Sequence, residues 1–380
     1  MLRLTIWMNY PSLHQGDLFR AVASSEGVDL QVIFARGMPD QRLQFGWQND
    51  LRGYSYRFLN ERHRIPDAMR LAWSQRDRLH VVNGFWTEPS FAAALTVMRL
   101  VRSAFAIYSE APEPDVPRSA GKRLLQAAFG KLLAPKASGA LSISHLATEF
   151  YRKLGVREAV IYPFGYFSSH PRLMGRSKDE NATEIIFVGQ LIPRKGIDLL
   201  LDAMQPLFGQ HPNLRLSVIG SGELLAHLQE QAAALGLSDR VAFEGVIPPA
   251  SIRERIAVAD LLVLPSRWDG WGAVVNEALS VGVPVIVSDR CGAADLVRKG
   301  INGYVFRSED AEDLRACLSD FLNRRVDWPR FRAKAAAIGD RISSEEVTPY
   351  LIKCLKHMTG AVSERPNPPW AQSNVFEDVI

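Results

Sequence analysis

The chain has 380 residues, of which 47% are apolar and 23% are charged, with a formal net charge of +4; this is an ordinary composition for a globular protein of two or three domains. No run of about 18 uncharged apolar residues occurs, so a membrane-spanning helix is not expected. Three scattered cysteines, Cys291, Cys317 and Cys354, argue against a disulfide framework and a zinc site and favour a reducing cytoplasm.

The first half of the chain opens with an apolar segment that is too short for a signal peptide and is predicted to be a strand. Further apolar segments of strand length follow, with a fainter alternation of strands and helices than in the second half. The predicted strands are 2–9, 29–36, 79–84, 105–110, 139–144 and 158–165. They predict an α/β domain in this half as well.

A basic segment separates the fourth and fifth of these strands, and no acidic residue occurs between Val116 and Thr148. Residues 118–136, RSAGKRLLQAAFGKLLAPK, are predicted to form an amphipathic helix, flanked by the cations of Lys122, Arg123 and Lys131. Its apolar stripe comprises Leu124, Leu125, Ala128, Phe129, Leu132 and Leu133. Such a helix can bind an anionic membrane surface, but a core-facing stripe with a solvated basic rim fits the same residues.

The second half alternates more clearly between apolar strand segments and segments of helical periodicity. The predicted strands are 184–189, 214–220, 240–245, 260–266, 284–288 and 303–306. The predicted helices are 197–208, 223–235, 250–258, 273–281, 293–299 and 310–323. Strands that are apolar throughout and alternate with helices predict a parallel sheet covered on both faces, as in doubly wound α/β domains.

The domain boundary is predicted in the polar segment HPRLMGRSKDENAT, which is rich in turn-forming residues. The expected organisation is a first domain at 1–170, a linker at 171–183 and a second domain at 184–340. A helix at 341–362 is expected to pack back toward the first domain, before a Pro-rich tail at 363–380.

The segment LLVLPSRWDGWGAVVNEALSVGVPVIVS contains a loop, 266–272, that follows a predicted strand. Ligands of open α/β sheets bind beyond the carboxyl ends of the strands. The helix that begins near Ala273 directs free N–H groups at the loop and favours an anion, while Asp269 and Glu277 can accept hydrogen bonds from hydroxyl groups. An anion and two polyols describe a nucleotide sugar; the alternative is a plain loop aspartate and a solvated glutamate.

Three further loops also follow predicted strands. The loop GQLIPRKG carries Arg194 and Lys195, which can bind phosphate through paired hydrogen bonds and as a point charge. The loop GSGE has Leu225 where a dinucleotide fingerprint needs a third glycine, so NAD binding is disfavoured. The turn FEGVIPP offers backbone groups that could meet a flat base.

Together these loops, GQLIPRKG, GSGE, FEGVIP and PSRWDGWGAVVNEAL, resemble the retaining GT-B glycosyltransferases of glycosyltransferase family four. The family pattern is G-R-L-x-x-x-K-G, G-x-G, F-x-G and an E-x7-E motif within P-S-x-x-E-G-[FW]-G. The resemblance covers roughly residues 184–306. It implies an α/β protein of the GT-B fold, in which two Rossmann-like doubly wound domains face each other across a cleft.

By position in these motifs, the resemblance implies that Glu277 binds the donor ribose, that Asp269 contacts the transferred sugar and that Lys195 neutralises the pyrophosphate. Two residues depart from the pattern. Gln190 replaces the loop arginine, a role that Arg194 could take, and Asp269 is one methylene shorter than the usual glutamate. The positions expected to line the donor are Gly16, Gly189, Gly220, Gly222, Val246, Ile247, Gly270, Trp271, Gly272 and Ala273.

In the first half, relatives often place a histidine after the strand that ends near the acceptor. This chain has AIYSEAPEPD there, so Ser109 or Glu110 occupies that position. Glu110 is a candidate to bind the transferred sugar or the acceptor, although a plain loop carboxylate fits as well. Gly16 is a candidate to approach the donor phosphate or an ordinary turn residue, and His14 is interpreted as structural.

The resemblance implies transfer, with retention at the anomeric carbon, from a UDP- or GDP-sugar to a hydroxyl acceptor such as a lipid-linked oligosaccharide. The expected setting is bacterial surface polysaccharide or lipopolysaccharide assembly, in the cytoplasm or peripherally on the inner face of the cytoplasmic membrane. No Asp-x-Asp pair occurs, so a metal is not expected, and neither a cofactor nor a nucleic-acid partner is. The alternatives are a GT-B nucleotide-sugar epimerase or phosphorylase, and a non-catalytic sugar-nucleotide-binding subunit.

Overall fold

The computed structural model describes residues 1–40, 50–85, 87–114, 116–117, 119–169, 173 and 182–371. The chain forms two compact units. The first comprises Met1–Ser169 with Ser343–Pro369, and the second lies within His170–Ile342 and Trp370–Ile380. Most of the predicted linker and the end of the predicted tail lie outside the described residues.

The first unit is built on a seven-stranded parallel sheet, with strand order β3-β2-β1-β4-β5-β6-β7. Its strands are β1 Leu2–Met8, β2 Val28–Phe34, β3 Ser55–Phe58, β4 Leu79–Asn83, β5 Phe105–Glu110, β6 Gly139–Ile143 and β7 Ile161–Phe164. Its helices are α1 Gly16–Ala23, α2 Arg64–Ser74, α3 Pro89–Leu100, α4 Ala120–Leu132 and α5 Ser144–Lys153. Neighbouring strands of this sheet pair in parallel, and parallel pairing requires crossover connections rather than tight hairpin turns.

The second unit has a six-stranded parallel sheet of order β10-β9-β8-β11-β12-β13. Its strands are β8 Thr183–Val188, β9 Leu214–Ile219, β10 Val241–Gly245, β11 Leu261–Leu264, β12 Val285–Ser288 and β13 Gly303–Phe306. Its helices are α6 Ile197–Gln210, α7 Leu225–Ala234, α8 Pro249–Ala257, α9 Ala273–Ser280, α10 Ala311–Asn323 and α11 Trp328–Arg341. The predicted doubly wound α/β architecture is therefore confirmed for both halves.

Several predicted elements differ from the observed ones. The edge strand β3 was not predicted, because its four residues are short and mostly exposed. The predicted helix 293–299 is a short 3₁₀ turn at Gly292–Leu296. The predicted basic helix begins at Ala120 and ends at Leu132, while Arg118 lies outside the described residues.

The last helix, α12 (Ser344–Met358), belongs to the first unit and packs against α1. Its N-terminus is capped by the hydroxyl of Ser343, which accepts a hydrogen bond from the Glu346 N–H. The Tyr350 hydroxyl donates to the Pro163 carbonyl oxygen at 2.8 Å. Of the helices in the described part of the chain, none has the length and apolar character needed to cross a bilayer.

Both sheets reverse strand order at one point, which is where open α/β sheets form ligand crevices. In the first sheet this point lies between β1 and β4, and in the second sheet it lies between β8 and β11. The loops that follow these strands are therefore the ones to inspect for a site.

Helix α9 leads away from the crevice of the second sheet and is supported from outside by α11. The two helices approach so closely at Gly339 that a Cβ atom there would lie 2.4 Å from the Leu279 carbonyl oxygen. This backbone contact has no flexible side chain that could move aside. The position of α9 therefore depends on the missing side chain of Gly339.

We expect Gly339→Ala to lower the free energy of unfolding by about 1–3 kcal/mol, because the added methyl group overpacks the α9–α11 contact. Gly209→Ala is the matched control in α6, since a Cβ atom there would have no neighbour within 4 Å. The control should be neutral or more stable by about 0.4–1 kcal/mol. Denaturant unfolding of both variants measures the difference, and equal stability would contradict the tight contact.

Candidate functional site

The loops that follow β8 and β11 are joined directly to each other at the crevice of the second sheet. The Arg267 N–H donates to the Arg194 carbonyl oxygen at 2.9 Å. The Arg194 guanidinium donates to the Trp268 carbonyl oxygen at 2.8 Å. Arg267 in turn forms a two-pronged ion pair with Asp198 in the first turn of α6, at 2.9 and 2.6 Å. The strand ends, the loops and the start of α6 therefore form one rigid edge.

At the centre of this edge, Lys195 and Asp269 form an ion pair. The Lys195 Nζ donates to the Asp269 Oδ2 at 2.5 Å, and each side chain is only 13% exposed. The Asp269 backbone is fixed as well, because its N–H donates to the Arg290 carbonyl oxygen and its carbonyl oxygen accepts from Gly292. Two residues from separate sequence motifs are thus in direct contact, and the loop after β12 holds the Asp269 backbone through hydrogen bonds.

The turn between Asp269 and α9 is fixed by Gly272 and Trp271. Gly272 has a φ of +91°, and a Cβ atom there would lie 2.7 Å from the Cys291 Sγ, so only glycine fits without strain. The buried Trp271 side chain donates to the Asn276 Oδ1 at 2.9 Å. The glycine is thus needed for the turn itself, and Trp271 anchors the helix start rather than lying open to a ligand.

Helix α9 begins at Ala273 without a side-chain cap. The N–H groups of a first helical turn have no intrahelical partners and carry the positive end of the helix dipole. Since Lys195 and Arg194 lie on the neighbouring loop, the start of α9 and these cations together favour an anion.

Glu277 lies one turn into α9 and is not a solvated surface residue. Burial raises the pKa of its carboxyl group to about 7, and the nearby Arg253 only partly opposes that effect. Among the described residues, no hydrogen-bond partner exists for its carboxylate oxygens. A desolvated carboxylate without donors is costly, so this group is suited to accept hydrogen bonds from a ligand.

Arg253, on α8, was not singled out from the sequence. It donates weakly to the Ser280 hydroxyl at 3.4 Å and acts electrostatically on Glu277. A lone arginine on a helix has no distinguishing pattern, so the fold alone relates it to the site. The loop after β12, with Cys291 buried against the Trp271 carbonyl oxygen at 3.1 Å, could have been suspected, because β12 neighbours β11.

The GSGE loop packs against the loop after β8. The Gly189 N–H donates to the Ile219 carbonyl oxygen, and a Cβ atom on Gly220 would lie 1.8 Å from the Gly189 carbonyl oxygen. A Cβ atom on Gly222 would lie 2.3 Å from the Leu191 carbonyl oxygen. Contact between the two loops therefore explains these glycines without requiring a ligand.

The turn after β10 is more open. Val246 is 52% exposed and Ile247 is half-buried, so both present apolar surface at the end of the strand. Gly270 is buried beside Asp269. Val246 and Ile247 thus follow the edge strand of the sheet, whereas Gly270 directly follows the aspartate of the ion pair.

In the first unit, Glu110 ends β5 and accepts a hydrogen bond from the Tyr166 hydroxyl at 2.7 Å. Its neighbour Ser109 is buried and bonds the Tyr151 hydroxyl at 2.9 Å. Gly16 begins α1 directly after the buried Gln15, whose amide donates to the Tyr108 hydroxyl at 3.1 Å. Of the two predicted residues, Glu110 therefore lies at the carboxyl end of β5, and Gly16 lies at the start of the helix that follows β1.

The cluster in the second unit can bind an anion through Lys195, Arg194 and the start of α9, and hydroxyl groups through Glu277. Within the described ranges, no group of three or more His, Cys, Asp or Glu side chains is arranged to hold a metal ion. The chemistry that the residues offer is electrostatic recognition of a charged, hydroxylated molecule.

Comparison with known proteins gives a family match over the second unit. Residues 175–338 match the family described as glycosyl transferases group 1. A D-inositol 3-phosphate glycosyltransferase of Geodermatophilus obscurus is 30% identical over 272 residues, which cover 67% of this chain and 57% of that protein. A GDP-mannose-dependent alpha-(1-6)-phosphatidylinositol monomannoside mannosyltransferase of Mycolicibacterium smegmatis is 32% identical over 145 residues, 36% of this chain and 38% of that protein. The chain thus spans less than two thirds of these relatives.

Solved structures resemble almost the whole chain. Anabaena HepE in complex with UDP has a TM-score of 0.72 at 16% identity, covering 94% of this chain and 100% of that one. The apo lipopolysaccharide outer core galactosyltransferase WaaB has a TM-score of 0.68 at 15% identity, covering 95% and 99%. At these identities the likeness establishes the shared fold.

We expect the Lys195–Asp269 pair to be energetically coupled. Lys195→Met and Asp269→Asn each leave a poorly solvated charge and should lower the free energy of unfolding by about 1–3 kcal/mol, somewhat less than for a fully buried pair. The double variant should lose about 1–2 kcal/mol less than the sum of both. Denaturant unfolding of all four proteins measures this coupling.

The matched control is the exposed pair Arg152 and Glu158, whose atoms are also 2.5 Å apart but whose side chains are 53% and 55% exposed. Its coupling, measured with Arg152→Met and Glu158→Gln, should stay below about 1 kcal/mol. Equal coupling in the two cycles would show that the burial of Lys195 and Asp269 has no energetic consequence.

Proposed function

The chain belongs to the glycosyl transferases group 1 and has the GT-B fold, and on this basis we propose that it transfers a sugar from a nucleotide-sugar donor to a hydroxyl acceptor, with retention at the anomeric carbon. The observation that carries the proposal is Glu277, a desolvated carboxylate without a hydrogen-bond donor among the described residues, on the same edge of the sheet as the cations of Lys195 and Arg194. Two adjacent ribose hydroxyls supply the donors that this carboxylate lacks.

The donor diphosphate is proposed to bind at Lys195, Arg194 and the start of α9. These groups would stabilise the negative charge that develops on the departing phosphate as the bond between the anomeric carbon and the phosphate oxygen breaks. The acceptor oxygen forms the new bond, and its proton passes to the departing phosphate. No protein nucleophile is needed, and the protein cations supply the charge that a metal supplies elsewhere.

Asp269 is proposed to hold Lys195 in position and to contact the transferred sugar. Its side chain is shorter than the glutamate of the family motif, and its Oδ2 already binds Lys195. In the first unit, Glu110 is proposed to contact the transferred sugar or the acceptor, supported by its hydrogen bond with Tyr166, and Gly16 to approach the donor phosphate.

The donor is proposed to be a UDP- or GDP-sugar. The Anabaena structure contains UDP, and the mycolicibacterial relative is named for GDP-mannose. The setting is proposed to be bacterial surface polysaccharide or lipopolysaccharide assembly, as for WaaB, and the acceptor a sugar that is attached to a lipid. An inositol-containing acceptor is a second candidate, because two relatives are named for inositol derivatives.

The surface of α4 supports a peripheral membrane location at the cytoplasmic face. The predicted apolar stripe is divided into two faces. Phe129 is buried and stacks on Phe85 at 4.3 Å, whereas Leu124 and Leu132, two turns apart, are 73% and 66% exposed. Core packing therefore explains only the Phe129 face. The exposed cations of Arg123 and Lys131 lie on the same helix, a combination suited to an anionic lipid surface.

We expect the affinity of the chain for a nucleoside diphosphate to increase with pH. A carboxylate accepts hydrogen bonds from both ribose hydroxyls, whereas a carboxylic acid is a weaker acceptor, so wild-type affinity for UDP or GDP should rise between about pH 6 and about pH 8, around the Glu277 pKa of about 7. Glu277→Gln should bind at least about tenfold more weakly at pH 8 and lose this pH dependence. Calorimetric titration at several pH values measures both effects.

Glu277→Gln also has a readout without ligand. Between pH 4.5 and about 7 the unfolded chain ionises this group while the folded chain keeps it protonated. The wild-type free energy of unfolding therefore decreases as the pH rises through that window. The variant should lack that decrease.

Sugar transfer by the wild-type chain is assayed with UDP- and GDP-sugars, with and without EDTA. Binding without transfer or hydrolysis would favour the non-catalytic subunit, and activity that requires a restored metal would contradict the electrostatic role of the cations.

We expect the wild-type chain to sediment with vesicles that contain phosphatidylglycerol at low salt and to be released by added salt. Arg123→Glu with Lys131→Glu should reduce binding, at about 1 kcal/mol per basic residue, and Leu124→Ser with Leu132→Ser should reduce it at equal charge. Arg99→Glu with Arg215→Glu, two exposed residues that do not belong to α4, is the control for net charge. A chain that stays in the supernatant at low salt would argue for a soluble acceptor.

A further inference from the structure

A cavity of about 480 Å³ lies at the carboxyl edge of the first sheet, outside the cluster around Lys195. Its walls come from three loops, those that follow β2, β3 and β4. The lining residues are Arg36, Glu61, Arg62, His63, Arg64, Ile65, Pro66, Thr87, Glu88 and Pro89. Its volume is within the range of small-molecule sites.

The cavity coincides with the switch point of the first sheet. β1 lies between β2 and β4 in the sheet, and Asn9, just beyond the end of β1, joins the two walls. Its carbonyl oxygen accepts from the Arg36 N–H at 3.1 Å, and its side-chain amide donates to the Thr87 hydroxyl at 3.0 Å. The loops that form the cavity are therefore held in place by the protein, at the position where open α/β sheets bind ligands.

The charges in the cavity are unevenly compensated. Glu88 is buried, accepts a hydrogen bond from the Ser90 hydroxyl at 2.9 Å, and has Arg64 within 3.9 Å. In the described part of the chain, by contrast, the exposed guanidinium groups of Arg36 and Arg62 take part in no ion pair. A single guanidinium group can bind phosphate through two parallel hydrogen bonds, and both of these groups line the cavity, so each can receive an anion there.

We infer that this cavity binds the phosphate group of a phosphorylated, hydroxyl-bearing acceptor. Arg36 and Arg62 would hold the phosphate, and Glu61 and Thr87 supply hydrogen-bond acceptors for the hydroxyl groups of the same ligand. This inference deepens the proposed function, because it names the chemical class of the acceptor and rests on the proposed transfer reaction.

The first experiment measures binding of glucose 6-phosphate to the full chain by calorimetric titration, with glucose as the uncharged match. The chain is saturated with UDP so that Lys195 and Arg194 are occupied. Arg36→Gln with Arg62→Gln should weaken glucose 6-phosphate binding at least about tenfold, because two charge-assisted hydrogen-bond donors are lost. UDP affinity should not change, since neither residue is part of the proposed donor site at Lys195, Arg194 and the start of α9.

The matched control is Arg99→Gln with Arg215→Gln, which removes the same charge from two exposed residues. Arg99 lies near the C-terminal end of α3, ten residues or about 15 Å along the helix from Pro89, which lines the cavity. The control should bind glucose 6-phosphate within about twofold of the wild type. Thermal unfolding verifies that all variants fold.

The inference is overturned if neither glucose 6-phosphate, at concentrations up to about 10 mM, nor phosphatidylinositol vesicles bind, if glucose binds as well as glucose 6-phosphate, or if both double variants behave alike in both assays. A Lys195→Met background separates the two sites. Glucose 6-phosphate that still binds there supports the cavity even if donor binding and transfer fail, whereas loss of its binding there assigns the anion to the donor cluster and overturns the cavity.

A second arm identifies the source of the phosphate. Phosphatidylinositol vesicles are sedimented with the wild type and with both double variants. Loss of binding by Arg36→Gln with Arg62→Gln in the glucose 6-phosphate titration supports a soluble phosphorylated acceptor, and loss in sedimentation supports a lipid headgroup. Unchanged behaviour in both arms overturns the inference.

Discussion

The ion pair between Lys195 and Asp269 is the contact on which the second unit's site depends. The two residues are 74 positions apart in the chain, and their 2.5 Å contact closes the crevice between β8 and β11. It compensates a cation that the fold places next to Arg194, where two uncompensated positive charges would repel each other. The loops after β8, β11 and β12 converge on this pair through backbone hydrogen bonds, so the backbone positions of both residues are set before any ligand arrives. A preorganised cation of this kind is what charge stabilisation in a transition state requires.

Glu277 lies on the same edge of the sheet, but its charge, unlike that of Lys195, is not compensated by an ion pair within the ranges that the structure describes. Its carboxylate has no hydrogen-bond donor among the described residues, and burial raises its pKa to about 7. The protein tolerates this cost because α9 is held firmly, by Trp271 and Asn276 at its start and by the close approach of Gly339 along its length. A buried carboxylate that only Arg253 partly compensates, on a rigid helix, has no evident role in folding, and the proposed contact with ligand hydroxyl groups would account for it.

Much of this site could be predicted from the sequence, because uninterrupted apolar strands end at loops whose order is fixed by a doubly wound sheet. That reasoning identified Lys195, Asp269 and Glu277. It could not reveal that Lys195 and Asp269 touch, since tertiary distance is not encoded in motif spacing, nor that Glu277 is desolvated, since that depends on how α8 and α9 pack. It missed β3, whose residues are mostly exposed, and Arg253, which resembles any helical cation. The loop–loop contact requires Gly220 and Gly222, a structural role that the sequence did not reveal, while their predicted place in the donor site stays a prediction.

The shorter side chain of Asp269 has a consequence for how a donor is received. In the free chain this carboxylate is held by Lys195, so it is less available to the hydroxyl groups of a sugar. In the proposed donor complex, a diphosphate at the start of α9 would carry more negative charge than one carboxylate and would compete with Asp269 for Lys195. If Lys195 turned toward the phosphates, Asp269 would regain an oxygen that could accept from the transferred sugar. Phosphate binding and sugar binding would then be coupled through one lysine, and a nucleoside monophosphate, with less charge, would release Asp269 less completely.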